Sequence, residues 1–282
     1  MIAVVYSGFR YADWKLATKD ELVSEFKTAG INPIFNDQKF IQQLLHKNAE
    51  LINNAEKIKQ IYFFGAGASS RKRKDLISAA LSEFFSFGKV YVDTDLSAGA
   101  ISSCGGKPGI IGILGSGSNA AYFNGKKVIP NNFGLGHILA DEGSAIYLGK
   151  KLIKSYLNAS LPEELERNFN RKYDLDRKQI LDKIYKQPQS ALFLNAFIDF
   201  FTQNRDAKFV KDLVCKGFDE YFQTYICPLK NENPDVPIHM VGFVASNFED
   251  YLHQTAEKLN ISIASVTKEP IYKVLNYCLN KI

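Results

Sequence analysis

The sequence is short of the residues that would brace a fold from outside its core. Cysteine occurs four times, at Cys104, Cys215, Cys227 and Cys278, with no Cys-X-X-Cys pair. So few thiols, so widely spaced, exclude a disulfide framework and point to a reducing, cytoplasmic setting. Histidine is equally sparse: His46, His137, His239 and His253 show no metal-ligand spacing such as His-Glu-X-X-His. No run of about 18 apolar residues occurs, so no membrane-spanning helix is expected. The opening Met1-Ile2-Ala3-Val4-Val5-Tyr6 has neither the basic start nor the length of a secretory signal and reads as a strand. Excess charge of one sign is lacking too, with 35 basic against 30 acidic residues and a net +5. The densest basic cluster, Arg71-Lys72-Arg73-Lys74, has no aromatic platform or groove-reading helix beside it. It reads as a solvated helix start, not a nucleic-acid surface.

What the chain does have is alternation. Its 282 residues are long for one core and comfortable for two. Ile2–Tyr6 and Asp13–Ala17 read as strands about a Ser7-Gly8 turn. A short helix is expected over 19–27, with Thr18 as N-cap, and another over Gln38–Asn54. Pro33 keeps the Gly30–Pro33 stretch a loop. Ile61–Phe64 is a buried strand followed by a Gly65-Ala66-Gly67 turn. Ser69-Ser70 caps a helix running to about Phe87, Lys89–Val92 is the next strand, and 98–103 a small-residue helix. Strands alternating with helices argue for an α/β layer with crossovers. After Gly105-Gly106-Lys107-Pro108 the pattern restarts, with strand 109–114, a Gly115–Ser118 turn and strand 119–123. That restart reads as a cryptic internal duplication. Residues 141–227 read as largely helical. Strand 238–241, helix 247–259, strand 261–266 and a closing helix from about Pro270 complete the chain. The expected domains are 1–106 and 107–282, with 141–227 a helical insertion and 270–282 packing back on the first.

The strongest chemical signal is Ile113-Leu114-Gly115-Ser116-Gly117-Ser118-Asn119. A strand entering Gly-Ser-Gly-Ser exposes consecutive backbone N–H groups and small hydroxyls, a concavity suited to phosphate oxygens. By itself it could equally be a plain tight turn. It is followed by Gly134-Leu135-Gly136-His137 and Ala140-Asp141-Glu142-Gly143-Ser144-Ala145, and preceded by Asp95 at a strand end. His137 reads as a packing residue of its turn.

These strings, in this order, resemble N-acetylglucosamine kinases and the related BadF/BadG/BcrA/BcrD-type ATPases of the actin, hexokinase and heat-shock ATPase superfamily. Gly30–Pro33, Gly65–Gly67 and Gly242-Phe243-Val244-Ala245 extend the likeness over nearly the whole chain. The resemblance implies an α/β fold of two ribonuclease-H-like domains with mixed sheets and a cleft between them. It implies ATP-dependent phosphorylation of an amino sugar, most simply N-acetylglucosamine to its 6-phosphate, with Mg²⁺ accompanying ATP, and it is compatible with a homodimer. It gives Asp95 the role of general base, worth roughly 100- to 10,000-fold in rate, although Asp95 also reads as a cap of the helix after it. It assigns Gly115, Ser116, Gly117 and Ser118 to a phosphate loop and Gly242 and Ala245 to an adenosine-side turn. Asn32, Gly67, Asn119 and Asp141 fall on sugar-side positions, Asp141 reading equally as an N-cap.

The chain departs from this pattern in its first phosphate loop. Ser7, Gly8, Asp13 and Trp14 match, but Tyr6 stands where the family carries the Mg²⁺-anchoring Asp. The Ser/Thr hydroxyls after the glycine are gone, and Arg10 is the candidate replacement charge. A neutral phenol is a poor ligand for a hard cation. The departure therefore keeps a second reading open, a catalytically impaired sugar sensor or interaction protein on the same fold. Near the C-terminus, Pro270-Ile271-Tyr272-Lys273 replaces a family Pro-Ile-Glu-Gly.

Overall fold

The computed structural model describes residues 1–187 and 189–281. They form two compact units: 1–107 with 124–128 and the chain from Glu269 onward, and 108–123 with 129–268.

The first unit is built on a five-stranded sheet of order β3-β2-β1-β4-β5. Its strands are β1 (Ile2–Ser7), β2 (Tyr11–Ala17), β3 (Leu22–Ala29), β4 (Gln60–Gly65) and β5 (Lys89–Thr94). β1 pairs antiparallel with β2 and parallel with β4, and β4 parallel with β5. Side chains alternate across a strand, so β1 splits into two sets. Ala3 and Val5 join Trp14, Leu16, Ile61 and Phe63 in a core under α1 (Gln38–Leu45), α2 (Ala49–Asn54) and α3 (Arg71–Phe84). Ile2, Val4 and the partly buried Tyr6 face the other way. There they meet Ala98 of α4 (Asp95–Ser103) and the closing helix, Ile271–Leu279. Ala17, which alternates with Leu16, lies on that second face, and the pairing with β3 shifts register between the two.

Two sequence expectations fail in this unit. The segment 19–27 is not a helix: residues 19–21 lie in a turn, and from Leu22 on it belongs to β3, paired antiparallel with β2 from Tyr11↔Ala29 to Ala17↔Leu22. Ser24, Phe26 and Thr28 are half-buried in strict alternation with exposed neighbours, a period of two that only a strand can satisfy. Phe26 stacks on Trp14 (6.0 Å between centroids), and the Trp14 indole donates to Thr28 Oγ1 at 3.0 Å. Thr18 does carry a capping geometry, but on a turn: its Oγ1 accepts from Asp20 N and Glu21 N, each at 3.3 Å. The expected helix over 38–54 is broken at His46-Lys47-Asn48, because Asn48 accepts from Leu51 N and starts α2 afresh.

The second unit carries a four-stranded sheet of order β7-β6-β8-β9. It comprises β6 (Pro108–Leu114), β7 (Ser118–Asn124), β8 (Ile238–Val241) and β9 (Ile263–Thr267). β6, β8 and β9 run parallel. The order hairpin partner, first strand, third strand, fourth strand repeats that of β2-β1-β4-β5, so the duplication read in the sequence holds at the level of topology. Between β7 and β8 run α5 (Ala145–Leu157), α6 (Glu163–Tyr173), α7 (Arg177–Tyr185), α8 (Ser190–Asn195), α9 (Ile198–Gln203) and α10 (Lys208–Tyr221). A π-helix, Phe222–Ile226, continues α10 into α11 (Cys227–Glu232). α12 (Phe243–Asn247) and α13 (Glu249–Lys258) link β8 to β9, and the closing helix is α14. No described helix is long and apolar enough to cross a membrane.

Candidate functional site

In sheets of this type, ligands collect where parallel strands end, because the loops leaving them diverge there. In the first unit, Gly65 is the register partner of both Ser7 and Thr94 at those ends. Asp95 is the next residue, and it opens α4 with its Oδ1 accepting from Leu96 N at 2.9 Å while Thr94 caps the helix. Asp93, the other acid at this end, is held by Lys74 at 2.6 Å.

The loops after β1, β3 and β4 are drawn together here. The fully buried Ser7 hydroxyl accepts from Ile31 N (2.8 Å) and donates to Ile31 O (3.0 Å), so it ties two loops to each other. Ser7 O takes the Ala66 N–H at 3.0 Å. Asn32 is buried, with its Oδ1 accepting from Ile34 N at 3.0 Å. Gly67 has φ +81, and a Cβ there would stand 2.3 Å from Asn32 Oδ1. The two positions of this unit that the resemblance assigns to the sugar are therefore in contact, and only glycine fits the second. In the first loop, Gly8 N donates to Tyr11 O at 3.0 Å and Phe9 stands edge-on to Phe35 (5.2 Å). The Arg10 guanidinium lies over the Tyr11 ring at 5.0 Å.

Tyr6 sits beside these ends, opposite Asp13 in register. Burial, and then the charges of Asp95 and Asp13, hold its pKa far above the ordinary phenol value, so it is neutral. Asp13 itself pairs with Lys27 at 3.2 Å. Among the described residues no group of three His, Cys, Asp or Glu side chains could hold a metal. A neutral phenol packed among Ile2, Val4 and Ala98 does not fit a protein-held Mg²⁺ at this loop. The other departure has a structural use: the Tyr272 hydroxyl accepts from Lys15 Nζ (3.0 Å) and donates to Glu25 (2.8 Å), pinning α14 to β2 and β3.

In the second unit, Gly115, Ser116 and Gly117 turn between β6 and β7, closed by Gly115 N donating to Gly117 O at 3.0 Å. The carbonyls of Gly115 and Ser116 accept from Ala145 N (2.9 Å) and Ile146 N (3.1 Å), which fixes the loop on the start of α5. Among the described residues no partner takes up the Ser116 hydroxyl or the N–H groups of Ser116 and Gly117, and all three residues of the turn are partly exposed. Ser118 is different. Its N–H donates to Asp141 Oδ1 at 3.0 Å, and its hydroxyl is buried without a hydrogen bond of good geometry. The Ser118 N–H therefore serves the floor of the loop.

Asp141 is buried, and burial raises its pKa against the opposing pull of the Ser118 N–H and Lys150. It sits at φ +67, costly for a residue with a Cβ. Asn119 is folded locally, its Oδ1 accepting from Ala120 N at 2.8 Å, and its Nδ2 lies 3.1 Å from where a Gly134 Cβ would be. His137 is half-buried in its turn. Its carbonyl accepts from Lys150 Nζ at 2.5 Å, and burial, then Lys150, lower the pKa of its ring. Gly242 has φ +124, and a Cβ would meet Leu114 O at 2.3 Å, so the turn after β8 lies flat on the end of β6. Ala245 is fully buried in α12, so it supports that turn from below.

Sequence reasoning missed three residues of this site. Gly217, Tyr221 and Tyr225, spaced by four along α10 and the π-helix, touch Gly143, Asn119 and the Asp141–Glu142 turn respectively. They lie in the stretch 141–227, which the sequence marked only as largely helical.

No protein-family model and no curated protein matches the chain. Among solved structures it is similar to a candidate N-acetylglucosamine kinase from Porphyromonas gingivalis, with 32% identity, TM-score 0.91 and 99% of each chain covered. A candidate N-acetylglucosamine kinase from Chromobacterium violaceum follows at TM-score 0.68, with 15% identity and 98% of each chain covered. A ROK family glucokinase from Streptomyces griseus, solved with glucose and AMPPNP, has TM-score 0.58 at 14% identity over 98% of each chain. The last two likenesses speak for the fold alone.

Proposed function

Because the chain belongs to the N-acetylglucosamine kinase-like family of the actin/hexokinase superfamily, we propose that it phosphorylates an amino sugar with ATP, most simply N-acetylglucosamine at its 6-hydroxyl. The observation that carries this reading is the Gly115-Ser116-Gly117 turn. It lies at the end of a parallel strand, and among the described residues the Ser116 and Gly117 N–H groups and the Ser116 hydroxyl have no partner. Such a nest suits phosphate oxygens, and the Gly242 turn packs against the strand end that opens it.

In this reading the sugar hydroxyl oxygen attacks the γ-phosphorus, the bond to the β,γ-bridging oxygen breaks, and ADP leaves. Asp95 accepts the hydroxyl proton. Asn32, Gly67, Asn119 and Asp141 shape the sugar side, Asp141 offering the carboxylate oxygen not bound to Ser118. Phosphoryl transfer depends on positioning and on charge neutralisation. Arg10, stacked on Tyr11 in the first loop, supplies a guanidinium for the phosphates.

The test is ADP release dependent on N-acetylglucosamine, with Mg²⁺ present. Turnover that falls about 100-fold or more in Asp95→Asn supports the proposal. Turnover unchanged in that variant sinks the assigned base, and silence of the native protein sinks the kinase. Tyr6 favours a second reading, a sugar sensor without turnover, since the metal-anchoring carboxylate is replaced by a neutral phenol.

A further inference from the structure

α10 and the π-helix that continues it present Gly217, Tyr221 and Tyr225 at i, i+4 and i+8. Each meets a different piece of the phosphate and sugar loops. Gly217 touches Gly143 backbone to backbone: a Cβ on Gly143 would stand 2.9 Å from Gly217 O. Tyr221, fully buried, donates its hydroxyl to Asn119 O at 3.0 Å, and it passes so close over β6 that a Cβ on Gly112 would meet that hydroxyl at 2.5 Å. Tyr225 accepts from Asp141 N at 3.3 Å and donates to Glu142 Oε2 at 2.7 Å. The two rings pack at 5.1 Å, and Phe133 closes on Tyr225 edge-on, also at 5.1 Å.

Two costs converge at this contact. Asp141 occupies a left-handed backbone conformation without being glycine, which persists only where its surroundings hold it. The helix carries a π-turn, a rare geometry that is frequent at functional sites. The π-turn spans Phe222–Ile226 and contains the tyrosine that holds the strained residue. Asp141 in turn grips Ser118 N, at the base of the phosphate loop.

We infer that Tyr225 and Tyr221 are positioning residues of the sugar site: the tyrosine stripe holds Asp141 and Asn119 in place, and through Asp141 the floor of the phosphate loop. The role in turnover rests on the kinase reading; the tether itself does not. Tyr225→Phe keeps the ring and removes only the hydroxyl. Amide hydrogen exchange of the variant is expected to quicken about tenfold at Asp141 and Ser118, the worth of roughly one hydrogen bond, while the α10 amides hold. The sugar KM is expected to rise about tenfold, with the ATP KM within about twofold. Tyr221→Phe is expected to raise the sugar KM likewise, through Asn119. Unchanged exchange at Asp141 in Tyr225→Phe overturns the tether, and equal shifts of both KM values overturn the positioning role in favour of general loosening. If the native protein does not turn over the sugar, the kinase reading falls, and the exchange measurement still decides the tether.

Discussion

Tyr6 lies on the face of β1 that also carries Ile2 and Val4, packed toward α4 and α14, with Asp95 and Asp13 near enough to raise its pKa. Replacing it by Asp places a charge in that apolar setting, beside two others of the same sign. Tyr6→Asp is therefore expected to lower stability by about 2 kcal/mol in urea titration. If the scaffold is a kinase weakened at its metal side, the same variant raises sugar-dependent ADP release in Mg²⁺; a loss of both stability and turnover argues that Tyr6 is a working part of this site.

Asp141 gives a prediction in pH. Burial raises its folded pKa above the unfolded 3.8, so its stabilising contribution is fully present below that value and is lost as pH rises through the folded pKa. Asp141→Asn keeps an acceptor for Ser118 N and removes the titration. The variant should gain stability relative to the native chain as pH rises from about 4 to 7, measured by urea midpoints, while its sugar affinity falls. A midpoint difference flat across that range would mean that the carboxylate is solvated. At this scale Asp95 was legible as an acid at a strand end, whereas Asn32, Gly67 and Asp141 were singled out only by the family resemblance. The tethers on them were not legible, because a tyrosine on a buried stripe carries no sign of where its hydroxyl points.

Single elements show which sequence signals were strong. Strands β1, β4, β5, β6 and β8 are short apolar runs ending in glycine or an acid, and they were readable as such. β3 was not. Lys19-Asp20-Glu21 after Thr18 looks like a capped first turn, and Glu25 and Lys27 are common on helices. Its strand state is imposed by pairing with β2 and by the stacking of Phe26 on Trp14, both tertiary. Helix crossing makes a sharper test. Gly149 of α5 lies so close to α8 that a Cβ would fall 2.1 Å from Leu194 O. Since backbone cannot swing aside as a side chain can, Gly149→Ala is expected to cost about 2 kcal/mol by overpacking, despite alanine's better helix propensity. A variant as stable as the native chain in urea would show that the two helices separate freely.

Over the whole molecule, the repeat of one strand order in both sheets explains why the chain could be read as duplicated although its residues had diverged. Topology is set by which strands pair, and many sequences satisfy that. Ligand chemistry is set by a few side chains, and here the two units have diverged unequally. The second unit keeps a turn whose Ser116 and Gly117 N–H groups have no partner among the described residues, whereas the first has its serine tied to Ile31 and a phenol where the resemblance leads one to expect a metal-anchoring carboxylate. The kinase and sensor readings therefore differ in which ligands stabilise the protein. A ligand at 100 times its dissociation constant adds about 2.7 kcal/mol to the folded state. Under the kinase reading, N-acetylglucosamine and ADP each raise the unfolding midpoint by that measure. Under the sensor reading the sugar raises it and ADP does not. If neither ligand moves the midpoint, both readings fail. Asn119→Ala discriminates further: it should abolish the sugar shift and leave any ADP shift standing, because Asn119 lies beyond the Gly115–Gly117 turn and folds against Gly134.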